Sequence, residues 1–323
     1  MTITETAPAS NDLTTTRAPF IEEAKGRGDL FIHQPYELYS EENHETWRRL
    51  YAALVPQWQR FAHPRFIEGL NNLALTSERV PRLEEINEFL EPLSAFESKA
   101  VSGYVPAYLF FDCLRQREFP TTITIRDARS LDYLPEPDIF HDLAGHVPMH
   151  TDRTFSDILV RFGEVAATAA KMSRDLDSSR RTKVTSSVIK AMARFFWFTV
   201  EFGLMKRPKG GAARLETVDE PVAPADTELC VYGSGLLSSR EEIEYSIVSD
   251  EVQRYPFRLE WVANQYFEID HVQPLLFYVD DFDHLFAEVE RLEEWVLSGR
   301  LDNVAPGEPL VNEQDLQSFL DAG

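Results

Sequence analysis

Pro135-Glu136-Pro137-Asp138-Ile139-Phe140-His141-Asp142-Leu143-Ala144-Gly145-His146-Val147-Pro148 is the stretch on which the reading of this chain turns. Pro137 and Asp138 make a good helix start, because proline is pre-set for a first turn and an acid suits the positive end of the helix dipole. Gly145 and Pro148 make a good stop. The spacing therefore predicts a short helix with His141 inside it and His146 at its exit. Five residues of ideal α-helix would turn two side chains ~140° apart. A chain that leaves helical geometry at Gly145 swings His146 back beside His141. Two neutral imidazoles converging in this way are good ligands for a borderline divalent metal. A pair of histidines satisfied in the core or on the surface has the same spacing, so both readings stand on these residues alone.

The next stretch outward is Phe195-Phe196-Trp197-Phe198-Thr199-Val200-Glu201-Phe202-Gly203-Leu204-Met205, which reads as the middle of one helix over 185–206. Apolar residues surround Glu201 on every side, and an ionised carboxylate there costs several kcal/mol unless a cation compensates it. Arg194, seven residues back on the same face, offers an internal salt bridge. The alternative is that Glu201 completes a metal site with His141 and His146. Two histidines and one carboxylate leave the other face of an ion open, which is the ligand set of non-haem Fe(II) oxygenases. The five-residue spacing and the missing Glu after the first histidine exclude the zinc-protease motif. A rival iron pattern, His150-Thr151-Asp152 with His271, needs strands to present it, whereas 149–154 reads as a turn. A closed structural metal site would need a fourth protein ligand; Cys113 and Cys230 are the candidates, and neither lies in a ligand-like motif.

The remainder of the chain is mostly helical with minor sheet, an α+β class. Ser40 caps a helix that begins with Glu41 and Glu42 and carries Trp47, Leu50 and Leu54 before Pro56 interrupts it. The segment 82–91 is helical and closed by Pro92, and Phe282 to Val296 keeps helical spacing behind three aspartates. Thr122 to Arg126 alternates like a short strand. Residues 1–28 read as a flexible tail, 29–300 as one domain, 207–228 as a long loop and 301–323 as an acidic tail. The 323 residues include 54 acids against 32 bases, a net charge of −22, which argues against a nucleic-acid backbone or an anionic membrane as partner. With two cysteines, no secretory pattern and no apolar run near the ~20 residues that span a bilayer, the expected place is the cytoplasm.

Three ordered blocks, Pro135 to Asp152, Trp197 to Leu204 and Tyr232-Gly233-Ser234-Gly235-Leu236-Leu237-Ser238-Ser239, resemble the aromatic amino acid hydroxylases, which are pterin-dependent iron monooxygenases. Weaker resemblance runs from about residue 30 to 297. It implies a single catalytic domain in which His141, His146 and Glu201 hold Fe(II), with Glu201 and Asp142 in the catalytic machinery. Arg126 falls where the family grips the substrate carboxylate, a task suited to a planar fork of donors, and Asp138 where an acid supports that arginine. Pro135 and Trp197 match the ring pocket, and Gly235 and Ser238 the loop over the substrate backbone. Phe110, Gly103, Val105, Asp142, Ala193 and Phe196 match positions around a tetrahydropterin (tetrahydrobiopterin or a related pterin), although for Phe110, Ala193 and Phe196, each taken alone, ordinary core is the better reading. The implied reaction uses O2 and two pterin electrons to hydroxylate the ring of a free aromatic amino acid. Trp197 and Ile269 favour L-phenylalanine, giving L-tyrosine; tryptophan, or the 3-position of phenylalanine, is the alternative. No heptad follows the core, so a monomer is expected.

Overall fold

The computed structural model describes residues 13–14, 18–73, 75–103, 105–129, 131, 137–209, 227–267, 269 and 271–306. In chain order its elements are α1 (Pro19–Arg27), α2 (Glu41–Phe61), α3 (Pro64–Asn72), α4 (Leu83–Ser94), β1 (Glu97–Val101), α5 (Ala107–Arg115), β2 (Glu118–Thr122), a π-turn at His141–His146, α6 (Val147–His150), α7 (Arg153–Ser173) and α8 (Ser178–Phe196). A second π-turn, Trp197–Glu201, is followed by β3 (Leu204–Pro208), β4 (Thr227–Val231), α9 (Ser234–Leu237), α10 (Arg240–Val248), β5 (Gln253–Pro256), α11 (Leu259–Val262), β6 (Leu275–Val279) and α12 (Phe282–Leu297). Helices dominate, as the apolar periodicity predicts, and among the described residues none is long and apolar enough to cross a membrane.

The long helices bury one face each. In α7, Phe155, Leu159, Phe162 and Ala166 recur at helical spacing and are buried. Phe162 meets Phe195 of α8 edge-on, with centroids 5.0 Å apart, and lies 5.6 Å from Phe196. Much of the phenylalanine content is this kind of core, built from edge-to-face ring pairs. β1 and β2 form a small parallel pair, and a second sheet has the order β4-β3-β6-β5, with β3 and β4 antiparallel and the other pairings parallel. The second sheet, α9 and the two π-turns place the site residues.

Several expectations need correction. The helix at 41 is capped by Ser40 as expected, but it continues through Pro56 to Phe61, because Trp47, Leu50, Leu54, Trp58 and Phe61 share one buried face that outweighs a lost backbone bond. Pro92 likewise sits inside α4. The strand expected at 122–126 lies at 118–122, paired to β1; Pro120 is tolerated because only one side of β2 is paired. The helix expected over 185–206 ends at Glu201, and Leu204–Pro208 is a strand. The tail expected at 1–28 contains α1, started by Pro19, closed by Gly28 in the left-handed region and burying Ile21 and Ala24. The ends of the expected 207–228 loop are strand residues, with Arg207 opposite Glu228 and Pro208 opposite Thr227; residues 210–226 lie outside the described set. The acidic tail begins later than 301, since Leu301 is buried and Ala305 O accepts from Arg194 Nη2 at 2.8 Å; residues 307–323 lie outside the described set.

One buried acid strains this fold. Glu242 on α10 is 2 % exposed, and neither carboxyl oxygen has a hydrogen-bond partner. Burial pushes its carboxyl up to about 8. The folded chain then binds a proton that the unfolded chain releases at its ordinary pKa, so stability falls as pH rises between those two values, by up to about 1.4 kcal/mol per pH unit. Glu242→Gln is expected to melt higher than the parent at pH 8 and close to it at pH 5. Thermal melts across that range check this; parallel pH curves for the two proteins would contradict it.

Candidate active site

Both metal-candidate blocks adopt π geometry, in which backbone bonds run from residue i to i+5. This corrects the expected helix stop at Gly145: the chain stays helical through Gly145 and on to His150. In a π-turn, residues five apart stack, so His141 and His146 meet because of the winding and not because the chain leaves the helix. Their Nε2 atoms are 3.2 Å apart and their rings nearly perpendicular, with centroids at 4.8 Å. The same winding separates Trp197 from Glu201 and pairs it with Phe202 instead, whose backbone N–H donates to Trp197 O at 2.8 Å and whose ring lies 4.5 Å away.

Glu201 faces the two imidazoles. Its Oε1 is 3.1 Å from His146 Nε2, and its Oε2 is 3.6 Å from His141 Nε2. Burial favours the neutral acid, but His146, then His141 and the Ser234 hydroxyl, hold the carboxyl down to about 2. The salt bridge considered for Arg194 does not form: its guanidinium donates to Ala263 O at 3.0 Å and to Ala305 O. Lys206 pairs with Asp280 at 2.5 Å. Among the described residues no lysine or arginine pairs with Glu201, and an anion recessed beside two imidazole nitrogens is the donor set of a divalent metal.

His141 is held in one orientation. Ser238 Oγ donates to Gly235 O at 3.3 Å and so takes the Nδ1–H of His141 at 2.8 Å. That assignment leaves the lone pair on Nε2, the nitrogen facing His146. Burial lowers His141 to about 4, which keeps the ring neutral. The approach of α9 needs Gly145, since a Cβ there would stand 2.9 Å from Ser234 O and 3.2 Å from Ser238 Cβ. Ser238, expected over the substrate backbone, thus contacts a metal-candidate histidine.

Asp142 is the second acid in reach: its carboxylate and the ring nitrogens of His141 and His146 lie within 4.8 Å of one another. It is the poorer ligand. Thr122 N–H already donates to its Oδ2 at 2.6 Å, and burial pushes its carboxyl up to about 7, so that near neutrality it often carries a proton.

Arg126 and Asp138 form a two-point ion pair, Nε to Oδ2 at 2.8 Å and Nη2 to Oδ1 at 2.9 Å, with both side chains 4 % exposed. Asp138 also accepts from the backbone N–H of Arg126 and of His141, each at 2.9 Å. One carboxylate therefore ties the candidate substrate arginine to the first turn of the metal-candidate segment. Trp197 is half-buried and stacks on Phe267 at 4.3 Å, 13° between planes. Phe110 and Phe196 meet edge-on at 5.4 Å, and Phe119 bridges from Phe110 (6.1 Å) to His146 (4.9 Å). Ala193 stands one turn before Trp197 on α8, partly exposed, and Gly103 and Val105 are also partly exposed, with Gly103 against Lys25 of α1. Pro135 lies outside the described residues. Ile269 is 46 % exposed.

Ser234, Phe119 and Phe267 are not expected at the site from sequence; of the three, Ser234 alone carries a local signal, a hydroxyl between two glycines. The rival His150/Asp152 pattern does not assemble: Asp152 caps α7 through Phe155 N–H and pairs with Arg65, and both ring nitrogens of the fully buried His150 lack hydrogen-bond partners. Burial pushes both thiols up to about 12, so neither Cys113 nor Cys230 supplies a ready fourth ligand.

A family profile described as biopterin-dependent aromatic amino acid hydroxylase matches residues 32–298, close to the 30–297 expected. The phenylalanine-4-hydroxylase of Caulobacter vibrioides is 35% identical over 305 residues, 92% of this chain and 92% of that one. That of Chromobacterium violaceum is 31% identical over 304 residues, 91% and 90% of the two chains. The crystal structure of the Chromobacterium violaceum phenylalanine hydroxylase with bound Fe(III) superposes with a TM-score of 0.71 at 32% identity, covering 86% of this chain and 90% of that one. Another, with Fe(III) and 7,8-dihydrobiopterin, gives 0.70 at 31%, covering 88% and 91%. Because the match runs over residues 32–298, most of the chain, and the three motif blocks meet around one recessed centre, the chain belongs to the biopterin-dependent aromatic amino acid hydroxylase family.

Proposed function

We propose that this chain is an iron- and tetrahydropterin-dependent monooxygenase that converts free L-phenylalanine to L-tyrosine with O2. The observation that carries it is the convergence of His141 Nε2, His146 Nε2 and the Glu201 carboxylate in one recess, with Asp138 linking that recess to Arg126. The names of its bacterial relatives support phenylalanine as the substrate.

Iron and a reduced pterin, when bound, supply the electrons and the oxygen-activating chemistry. The chain's own work is positional. His141, oriented by Ser238, and His146 present nitrogen donors, and Glu201 brings a negative charge. Arg126 lies where a substrate carboxylate is to be gripped, its fork fixed by Asp138. Trp197, stacked on Phe267, and Phe119 offer aromatic surface to a ring and keep water out. Phe110 and Phe196 offer the same to a flat heterocycle. Asp142, with Oδ2 held by Thr122, can carry a proton on its other oxygen near neutral pH.

The direct test supplies the protein with Fe(II), a tetrahydropterin and air, together with phenylalanine, tyrosine or tryptophan in turn, and identifies products by mass spectrometry and chromatography. Tyrosine from phenylalanine is the expected product. 3-Hydroxyphenylalanine, or hydroxylation of tryptophan alone, would reassign the substrate or ring position. No hydroxylated product from any of the three would sink the reading.

A further inference from the structure

The turn Gly233-Ser234-Gly235 packs against the Glu201 turn so closely that neither glycine can carry a side chain. A Cβ on Gly233 would stand 2.5 Å from Glu201 O, and one on Gly235 2.8 Å from the Phe202 ring. The side chain between them, Ser234, is 2 % exposed, and its Oγ donates to Glu201 Oε2 at 2.8 Å while lying 2.9 Å from His146 Nε2 and 3.2 Å from Val200 O. The two Glu201 oxygens thus have different surroundings. Oε2 is tied to a hydroxyl, and Oε1 is the oxygen beside His146 Nε2, at 3.1 Å.

We propose that Ser234 is a positioning residue for the metal carboxylate: its hydroxyl anchors Oε2 and leaves Oε1 as the single oxygen that Glu201 offers to the ion. This rests on the ligand assignment above. A charge-assisted hydrogen bond takes up one lone pair and part of the charge of the oxygen that accepts it, which makes the other oxygen the stronger donor to a cation, whereas an unheld carboxylate offers both alike. Ser234 thereby sets how many positions remain open around the metal, beyond fixing the carboxylate's direction.

Co(II) alone, added to the metal-free full-length protein, gives a probe whose visible absorption reports coordination number and geometry. The wild type is expected to bind one equivalent. Ser234→Ala is expected to bind it with a shifted and weakened visible band, and with affinity lowered by roughly 10–100-fold, the range typical when a ligand loses its supporting partner. Ser234→Gly, which also lacks the hydroxyl, should reproduce the shift, and circular dichroism should show all three proteins folded. The band decides the matter. An unchanged band in Ser234→Ala, whatever its affinity, overturns the proposal, as does a shift in the glycine variant unlike that in the alanine variant, which would point to packing and not to the hydroxyl. Failure of the wild type itself to bind Co(II), or undiminished binding by Glu201→Ala, would instead refute the ligand assignment.

Discussion

Glu201→Ala is expected to lose iron binding and all measurable hydroxylation while keeping its fold. Two imidazoles remain in the variant, but the carboxylate that faces both of them is gone. A divalent cation held by two nitrogens keeps most of its desolvation cost and loses its charge partner, so affinity should fall by more than the roughly 10–100-fold that loss of a mere supporting group costs. Asp142 is the acid, among the described residues, that clusters with both histidines, and it is a poor substitute: its carboxyl is pushed up to about 7 and one oxygen is held by Thr122. Some stability should be lost at neutral pH, because the contacts with His146, His141 and Ser234 that hold this carboxyl down to about 2 disappear with it, but the fold should survive. Glu201→Gln, which keeps the shape and discards the charge, should behave alike. Metal analysis after dialysis and product detection measure both effects; stoichiometric iron with full turnover in Glu201→Ala would refute the assignment.

The chemistry-bearing residues of this site were legible in the sequence, while the geometry that unites them was not. His141, His146 and Glu201 stand out because histidine pairs are sparse and a lone acid inside Phe195–Met205 is costly, and both signals are local. The π-winding leaves no compositional mark. It depends on which carbonyl each N–H finally chooses, and that choice is made by tertiary packing: α9 presses on Gly145, and the Gly233 turn presses on the backbone of Glu201. The displaced strand has the same origin. Both 118–122 and 122–126 can be extended, and the selection falls to the register with β1, which pairs Glu97 with Glu118. Residues 123–126 lie outside any strand and serve other partners, Thr124 O accepting from Ile139 N–H at 2.7 Å and Ile125 N–H donating to Leu13 O at 2.8 Å. Phe119 and Phe267 could not be singled out among 22 phenylalanines, because an aromatic residue lining a site and one filling a core differ only in their neighbours.

Asp138→Asn is expected to damage stability and substrate binding together, since one carboxylate serves both. It accepts four hydrogen bonds, from Arg126 Nε, Nη2 and backbone N–H and from His141 N–H. Burial alone would raise its pKa, but the Arg126 charge and these bonds hold it below the usual carboxylate value. The folded pKa is thus depressed, so the stability this group contributes is present at neutral pH and is lost as pH falls below the ordinary aspartate value. Asparagine keeps the volume and one acceptor but leaves a buried guanidinium without its counter-charge, an arrangement that costs roughly 3–5 kcal/mol. In a domain of this size that corresponds to a melting point lower by roughly 10 °C at pH 7. The gap to the parent should narrow at acid pH, where the parent's own carboxylate is being protonated. The same loss frees the arginine fork to rotate. If Arg126 grips the substrate carboxylate through charge-assisted bonds worth roughly 1.5–3 kcal/mol, KM for phenylalanine should rise about 10–100-fold. For phenethylamine, which has the ring but no carboxylate, KM should hardly change. That contrast separates gripping from general loosening, because a loosened site weakens both substrates equally. An unchanged melting point in Asp138→Asn would contradict the stability part, and equal losses for phenylalanine and phenethylamine would remove Arg126 from carboxylate recognition.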